Sequence, residues 1–435
     1  MTPSPSPPHP DDGRTSDAGR RVVVTGMGAV TPIGMGVQAF WEALVQGVSG
    51  AAPITSFDPC GFSTTFACEL KGFDVLEHLD RRLAARMDPF AQYALVAANE
   101  AIRDARLFPE RLPAEERERV GVVFGSEHGG LKTVQEQTRV LVQDGPRRLS
   151  PHFIPMTLHN MSAGTIAMEH GFRGPNHAVV SACATGNDNL ADALHIIRRG
   201  TAEVVVAGAS EAPICEIGVG GFAALRALST RNDSPATASR PFDATRDGFV
   251  MGEGAGALVL ESLEHAQRRG ARIYAELLSV GASSDAHHVT APHPEARGTV
   301  LALERALRQA GIGPEEVDTI NLHGTSTPIG DAAETLAVRT VFGVHADRLT
   351  TTSTKSMTGH LLGAAAAIEA VATVLSLVHQ VVPPTINYQV PDPACDLPYA
   401  ANTPVRRPLR IALNNAFGFG GKNSAALFRA WPAST

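Results

Sequence analysis

One cysteine of the sequence stands where a nucleophile could form. Cys183 lies in the stretch VVSACATGN, residues 179–187, between an apolar run and residues that begin a helix at about Thr185. A helix N-terminus offers unpaired N–H groups and the positive end of the helix dipole, which lower the pKa of a thiol and favour the thiolate. The neighbouring alanines and glycine leave room for a bulky group. An inert core cysteine is the alternative interpretation, and this placement alone does not decide between the two.

Two further stretches place histidines at the edges of predicted elements. His323 ends an apolar strand in NLHGTSTPIGDAAE, residues 321–334, and three hydroxyl residues follow it. His360 comes five residues after Lys355, beside a long alanine-rich helix. Each stretch alone is explained equally well by a structural role. Together, a thiolate, two imidazole donors and a lysine suit acyl transfer, in which an oxyanion must be stabilised.

A glycine-rich stretch near the C-terminus, NNAFGFGGKN, allows backbone amides to point at a ligand and Phe419 to act as a lid. Only fourteen residues follow Gly421, too few for the crossover helix and strand of a dinucleotide site. The histidine run DAHHVTAPHPE, residues 285–295, is predicted to be a surface loop, because adjacent histidines rarely converge on one metal ion. We therefore expect neither a cofactor nor a metal.

Composition narrows the class of protein. The 435 residues are 43% hydrophobic and 19% charged, which is typical of a globular chain. The five scattered cysteines lack zinc spacing and indicate a reduced, cytoplasmic setting. A net charge of −7 argues against nucleic acid as the main partner. Residues 1–20 lack the apolar core of a signal peptide and are predicted to be a disordered tail. Residues 361–380 are apolar but carry Glu369, which favours a buried helix over a membrane span.

The elements that must position these side chains alternate along the chain. Buried strands are predicted in RVVVTGMGAV, RVGVVFGS, HAVVSA, EVVVAGAS, GALVLESL, IYAELLSVG, DTINLHG and twice in LRIALNNAFGFGGKNSAALFRAW. Helices are predicted near residues 37–46, 89–105, 187–200, 263–269, 299–311, 331–342 and 363–379. This alternation predicts an α/β fold with helix-covered sheets. The similar strand, turn and helix around Cys183 and His323 suggest two related halves that meet at a shared site.

Four of these motifs, in this order, resemble the active-site stretches of β-ketoacyl-acyl carrier protein synthases, above all the elongating type II condensing enzymes. They are SACATGN, NLHGTSTPIGDAAE, STKSMTGHLLGAA and NAFGFGGKN. The similarity covers nearly all of residues 21–431. It implies the thiolase fold, an αβαβα layered sandwich of two related halves with mixed five-stranded sheets. The halves would be residues 21–271, with the cysteine, and 272–435, with the histidines, and the chain would form a homodimer.

The resemblance also implies roles at the reaction centre. Cys183 would take the acyl chain from an acyl carrier protein thioester. His323 and His360 would bind the malonyl thioester, assist loss of carbon dioxide and stabilise the enolate. Backbone N–H groups of Cys183 and Phe419 would form the oxyanion hole, and Phe419 would gate malonyl entry. Lys355 would set the electrostatics of the site, with Glu334 and Asp331 in support.

Binding positions follow from the same resemblance. The pantetheine arm of the carrier would contact Thr325 and Thr327, and the acyl pocket would include Phe153 and Phe222. A basic patch would dock the acidic carrier protein, with Arg82, Arg86, Arg147, Arg148 and Arg226 as its members.

Two stretches depart from the family pattern, and His128 in the first of them, together with the Pro-rich tail, keeps an alternative open. The stretch GSEHGGL places Glu127 and His128 where a small apolar and then an aliphatic residue are usual at the acyl pocket. A polar ring there could shorten the pocket or favour a polyunsaturated or oxygenated chain. Lys422 stands where threonine is common. The alternative is the ketosynthase of a type II polyketide or polyene pathway, with the same chemistry and a different acyl chain. A heterodimer with a ketosynthase-like subunit is the alternative to the homodimer.

Overall fold

Ten strands carry the sheet framework of this computed structural model, which describes residues 19–432. All but the last two residues of the predicted tail, residues 1–20, lie outside that range. The strands are β1 Val22–Thr31, β2 Val120–Gly125, β3 Asn176–His177, β4 Val204–Glu211, β5 Gly254–Ser262, β6 Ala275–Ser284, β7 Thr319–Asn321, β8 Thr350–Thr352, β9 Ile411–Gly418 and β10 Lys422–Ala430. Two-residue strands lie at Gly34–Met35, Ala52–Pro53, Phe66–Ala67, Val381–Val382 and Val405–Arg406.

The strand order repeats in the two halves of the chain. Strands β1 to β5 form the N-terminal sheet in the order β3, β2, β4, β5, β1, and strands β6 to β10 form the C-terminal sheet in the order β8, β7, β9, β10, β6. In each sheet the first two pairings are parallel and the last two are antiparallel. A short antiparallel contact between β1 and β6 joins the sheets. The predicted pair of mixed five-stranded sheets is confirmed.

Eleven labelled helices connect and cover these strands. They are α1 Val37–Gln46, α2 Pro89–Asp104, α3 Leu131–Asp144, α4 Phe153–Thr157, α5 Met161–His170, α6 Thr185–Arg198, α7 Glu216–Ala224, α8 Leu263–Arg268, α9 Arg297–Ala310, α10 Pro328–Phe342 and α11 Ala365–His379. Four-residue helices lie at Arg81–Ala84, Ala114–Arg117 and Lys355–Thr358. The predicted boundary at residues 271 and 272 falls between α8 and β6 and stays a prediction.

Five layers result from this packing. Helices α2 and α5 cover the outer face of the N-terminal sheet, α6 and α11 lie between the sheets, and α9 and α10 cover the outer face of the C-terminal sheet. Strand β4 shows how the sequence supports two covered faces. Val204 and Val206 pack in the outer core with α2, whereas Val205 and Ala207 pack in the central core with α6 and α11. Because side chains alternate across a strand, a run of valines buries both faces.

Helix α11 is the buried central helix that the sequence predicts. The segment Leu362–His379 is long and apolar enough to cross a membrane, but 89% of it is buried inside the protein. Its alanines allow close neighbours. A Cβ on Gly186 of α6 would lie 2.3 Å from the backbone nitrogen of Ala367, and a Cβ on Gly256 of β5 would lie 2.6 Å from the carbonyl carbon of Ala367. Small residues therefore set the distance between the central helices and the sheet.

One predicted strand is much shorter in the structure. Of the stretch HAVVSA, residues 177–182, only His177 belongs to β3. The backbone N–H of Val179 donates to the side chain of Asn189 at 2.9 Å, and that of Ser181 donates to the Thr185 hydroxyl at 2.9 Å. Two side chains of α6 thus take the backbone N–H groups that a neighbouring strand would otherwise accept. Residues 178–182 leave the sheet because they must turn towards the start of α6.

Candidate active site

Cys183 lies in a tight turn at the start of α6. Ala182 before it has a φ of 52°, a left-handed conformation that non-glycine residues rarely adopt. The Thr185 hydroxyl holds this turn by donating to the carbonyl of Ala182 at 2.7 Å while it accepts from Ser181. Gly418, at the end of β9, passes so close that a Cβ would lie 2.9 Å from the backbone nitrogen of Cys183. The turn therefore fixes the thiol against the hairpin of β9 and β10.

The predicted lowering of the thiol pKa is wrong for the protein without substrate. Burial raises the pKa of the Cys183 thiol well above its usual value, and the nearby carboxylate of Glu127 raises it further. The charge of Lys355 and the backbone N–H of Phe419, which donates to the sulfur, act in the opposite direction but do not outweigh burial. The group is therefore a neutral thiol near pH 7.

His323 and His360 form a pair beside this thiol. Their rings lie 5.3 Å apart between centroids and at 86° to each other. Burial lowers the pKa of both imidazoles well below the usual value, and the charge of Lys355 lowers both further. Nδ1 of His360 accepts the backbone N–H of Leu362 at 3.3 Å, which places the proton of that neutral ring on Nε2. A neutral imidazole with Nε2–H is a hydrogen-bond donor suited to a thioester oxygen.

Lys355 forms an ion pair with Glu369 of α11, a residue that the resemblance did not single out, and its charge also opposes the rise that burial causes in the pKa of Glu334. The side chains of Lys355 and Glu369 are 1% and 2% exposed. Burial raises the pKa of Glu369 to about 7, although Lys355 opposes that shift. In the sequence, Glu369 stands out only as a charge within an apolar helix. A charge in such a helix is the signal that could have identified it, because a buried charge requires a partner.

The other two acidic residues hold the loops of the site. Glu334 accepts the backbone N–H groups of His323 and Gly324, both at 2.8 Å, and so fixes the turn that carries the histidine. Asp331 accepts the backbone N–H groups of Phe242 at 2.8 Å and Ser326 at 3.2 Å. Both carboxylates are buried on the first turns of α10. There they accept backbone N–H groups of the neighbouring loops in place of backbone carbonyl groups.

These groups open into one cavity of about 330 Å³. Its lining includes Cys183, His323, His360, Phe419, Thr325 and Thr327. The two threonine hydroxyls lie 2.9 Å apart. Phe222 and Arg226 also line this cavity, and the ring of Phe222 lies 6.3 Å from that of Phe419 between centroids. The loop with the predicted surface histidines contributes Thr290 to the wall.

Several predicted residues lie outside this lining. Phe153 is half-buried at the start of α4 and does not line the cavity. The remaining arginines are exposed. Arg82 lies in the helix Arg81–Ala84 and Arg86 follows it, whereas Arg147 and Arg148 lie in the turn Pro146–Arg148. Lys422 is exposed at the start of β10.

His128 belongs to a cluster with Glu127 and Glu211. Nδ1 of His128 lies 2.8 Å from Oε2 of Glu211. The other oxygen of Glu211, Oε1, accepts the backbone N–H of His128 at 3.1 Å and the hydroxyl of Ser126. Burial lowers the pKa of His128, but the hydrogen bond and charge of Glu211, with the charge of Glu127, raise it to about 9. The ring lies 5.8 Å from Phe222 between centroids, so it is a cation behind the cavity wall.

Two domains of a known protein family together match most of the chain. The N-terminal domain of β-ketoacyl synthases matches residues 19–266, and the C-terminal domain matches residues 274–389. The chain belongs to the β-ketoacyl synthase family. It is therefore a condensing enzyme of the acyltransferase class, with the thiolase fold expected from the resemblance.

Individual relatives of this β-ketoacyl synthase include a 3-oxoacyl-[acyl-carrier-protein] synthase and solved ketosynthases. The chain is 47% identical over 410 residues to the 3-oxoacyl-[acyl-carrier-protein] synthase 2 of Synechocystis, with 94% of this chain and 98% of that protein covered. A type II polyketide ketosynthase, solved with its acyl carrier protein and a hexaketide, has a TM-score of 0.87 at 36% identity. The ishigamide ketosynthase/chain length factor has a TM-score of 0.88 at 36% identity. Each structure covers 95% of this chain and is covered completely.

Proposed function

We propose that this β-ketoacyl synthase elongates acyl chains on an acyl carrier protein by decarboxylative condensation with malonyl-carrier protein. The observation that carries the proposal is that a thiol and two neutral imidazoles line one cavity. A thiol can hold an acyl group, and two N–H donors can hold the oxygen of an enolate. The 47% identity to a 3-oxoacyl-carrier protein synthase supports fatty acid elongation as the pathway.

The first half-reaction is acyl transfer to Cys183. The thiol loses its proton as its sulfur attacks the carbonyl carbon of the acyl-carrier thioester. The backbone N–H groups of Cys183 and Phe419 stabilise the oxyanion. When the bond between that carbon and the pantetheine sulfur breaks, the pantetheine leaves as a thiol, so that no net proton is consumed.

The second half-reaction makes the carbon–carbon bond. Nε2–H of His360 and the ring of His323 donate to the thioester oxygen of malonyl-carrier protein, while Thr325 and Thr327 contact the pantetheine arm. Loss of carbon dioxide leaves an enolate, whose carbon attacks the acyl group on Cys183. The cysteine sulfur leaves as a thiolate and takes a proton from solvent. Lys355, paired with Glu369, supplies positive charge next to these anionic species.

The acidic carrier protein is the expected macromolecular partner. Arg226 lines the cavity and is exposed, so it can meet a carrier whose arm enters there. The related polyketide ketosynthase was solved with its carrier protein. A dimer is supported by exposed apolar side chains near the short strand β3, including Val180 and Met168. Five unpaired cysteines support a reduced, cytoplasmic setting.

A type II polyketide or polyene ketosynthase is the second candidate function. The buried Oε2 of Glu127, which has no hydrogen-bond partner among the described residues, supports it, because a saturated chain offers no partner to a buried polar group. In that case a ketosynthase-like subunit would replace one copy of the dimer, as the ishigamide ketosynthase/chain length factor illustrates.

Incubation with malonyl-carrier protein and a panel of acyl-carrier primers tests both candidates. We expect a β-ketoacyl product two carbons longer than the primer and an acyl adduct on Cys183, both measured by mass spectrometry. Cys183→Ala should remove the adduct and the product, whereas Cys60→Ala, at an exposed cysteine, should keep both. Acyl loading that survives Cys183→Ala would contradict the proposal. Saturated primers favour fatty acid elongation, and oxygenated or polyunsaturated primers favour the second candidate.

A further inference from the structure

Glu127 brings a second reactive group to the nucleophile. It follows β2, and its carboxyl group lies beside the Cys183 thiol, so that each group shifts the pKa of the other. Its Oε2 is buried and has no hydrogen-bond partner in the part of the chain that the structure describes. The loop is held against the start of the central helix, because a Cβ on Gly363 would lie 2.8 Å from the backbone nitrogen of Glu127. A buried acceptor thus faces the thiol from a fixed backbone position.

The groups around Glu127 balance its charge. Burial raises the pKa of Glu127 to about 7, and the carboxylate of Glu211 on β4 also raises it. The cationic His128, the thiol of Cys183 and the backbone N–H of Gly363 lower it. The carboxyl group therefore changes protonation near neutral pH, whereas the thiol it contacts does not ionise there by itself. General bases act most effectively when their pKa lies near the working pH.

Most other acceptors around the thiol are engaged. Nδ1 of His360 accepts the backbone N–H of Leu362. Glu211 accepts from Ser126 and His128, and Glu369 pairs with Lys355. Nδ1 of His323 also has no hydrogen-bond partner among the described residues, but burial lowers the pKa of that imidazole well below its usual value, so it is a weaker base than the Glu127 carboxylate. Glu127 combines its place beside the sulfur with a buried oxygen that has no partner in the described part of the chain.

We propose that Glu127 is the general base of acyl loading, the group that takes the proton of the Cys183 thiol as the sulfur attacks the acyl thioester. The inference rests on the proposed acyl transfer at Cys183. As the carbon–sulfur bond to Cys183 forms and the bond to the pantetheine sulfur breaks, protonated Glu127 gives its proton to the departing sulfur. Glu127 is then a carboxylate again, and the products are the acyl-enzyme and the free carrier thiol.

Loading rates across pH test this base. Octanoyl-carrier protein is mixed with the enzyme at pH 5.5 to 9, and the acyl adduct is followed by intact mass. The wild-type rate should rise with pH around a midpoint near 7. Glu127→Gln, which has nearly the same shape, should load about 100-fold more slowly at pH 7 and lose that midpoint. Glu127→Asp keeps a carboxylate and should recover part of the rate.

Alkylation by iodoacetamide separates this role from a structural one. Iodoacetamide reacts with the thiolate, and the charge of Glu127 raises the pKa of the Cys183 thiol. Glu127→Gln should therefore be alkylated at least as fast as the wild type while it loads more slowly. In His128→Gln the loading midpoint should move to higher pH, because the cation that lowers the pKa of Glu127 is gone.

Three outcomes would overturn the inference. The first is loading by Glu127→Gln at the wild-type rate. The second is an equal loss of loading and alkylation in Glu127→Gln, with an unshifted midpoint in His128→Gln. The third is a wild type that is alkylated at Cys183 but never acylated there. This outcome differs from the other two because it also refutes the proposed function.

Discussion

At the scale of single residues, burial decides the protonation states around the cavity. It keeps Cys183 as a thiol and His323 and His360 as neutral rings, although a lysine stands close to all three. Charged histidines would be poor partners for Lys355, whereas neutral ones donate hydrogen bonds without adding charge. The site therefore combines a lysine with two neutral donors, an arrangement suited to an anionic enolate.

The neutral histidines give a first prediction about pH. Decarboxylation of malonyl-carrier protein by the Cys183→Ala variant isolates the step that these rings assist. Its rate should stay nearly constant from pH 8 to pH 6, because the pKa values of His323 and His360 lie well below the usual value of 6.5. Release of carbon dioxide measures it.

The control for this prediction is Lys355→Met. Removing the lysine charge takes away one cause of the lowered pKa values of the two histidines. As the pH is lowered, the decarboxylation rate of the double variant Cys183→Ala, Lys355→Met should therefore begin to fall at a higher pH than that of Cys183→Ala alone. A fall in the Cys183→Ala rate through pH 6.5 would show that the histidines titrate normally and would contradict the prediction.

At the scale of elements, the site is assembled from ends. Cys183 stands at the start of α6, His323 after β7, His360 shortly before α11, and Phe419 at the tip of the hairpin of β9 and β10. Ends of strands and helices leave backbone groups unpaired, and they point side chains into a shared space. The close packing of α6 on α11 holds two of these ends together.

The contact of α6 with α11 gives the second prediction. Gly186→Ala places a Cβ where the backbone of Ala367 lies 2.3 Å away, so the two helices must separate. We expect the free energy of unfolding to fall by about 1–3 kcal/mol, as for other overpacked cores. Urea denaturation followed by circular dichroism measures it.

Gly221→Ala is the matched control. Gly221 lies in α7, and an added Cβ would meet no atom within 4 Å. Its free energy of unfolding should stay the same or rise by about 0.5–1 kcal/mol, because alanine favours a helix. Equal stability of Gly186→Ala and wild type would show that the central helices tolerate wider spacing.

At the scale of the whole molecule, two sheets of the same strand order meet around a layer of helices, and the site lies where the halves join. This arrangement buries many ionisable groups. Burial raises the pKa values of Glu127, Asp331 and Glu369 to about 7 and that of Asp88 to about 6. The overall stability of the protein must therefore depend on pH near neutrality.

The third prediction is a higher melting temperature at pH 7 than at pH 9. His128, with its pKa raised to about 9, stabilises the fold below its unfolded pKa and loses that contribution as pH rises through 9. The buried carboxylic acids with raised pKa values act in the same direction, because the folded state holds protons that the unfolded state has released. Differential scanning calorimetry at equal ionic strength measures the difference.

His128→Gln tests the source of that difference. The variant lacks the group whose raised pKa spans this window, so its melting temperature should differ less between pH 7 and pH 9 than that of the wild type. A wild-type melting temperature that rises from pH 7 to pH 9 would contradict the assignment.

The sequence by itself predicted most of the elements and the candidate reactive groups. Valine runs such as those of β1 and β4 predict strands covered on both faces, and the capped start of α2, with Asp88 before Pro89, marks a helix boundary. The cysteine, the two histidines and the lysine were found because each stands at the edge of a periodic segment. Local patterns suffice for such features, since they depend on neighbours in the chain.

Only the tertiary structure decided how those groups behave. The partner of Lys355 is Glu369, fourteen residues along the chain and on another helix, and the pair forms because α11 is buried. The segment after His177 leaves the sheet because Asn189 and Thr185 take its backbone N–H groups. The thiol pKa rises rather than falls because burial and Glu127 outweigh the helix start. Solvent exclusion and distant charges depend on contacts between remote segments, which local sequence patterns do not encode.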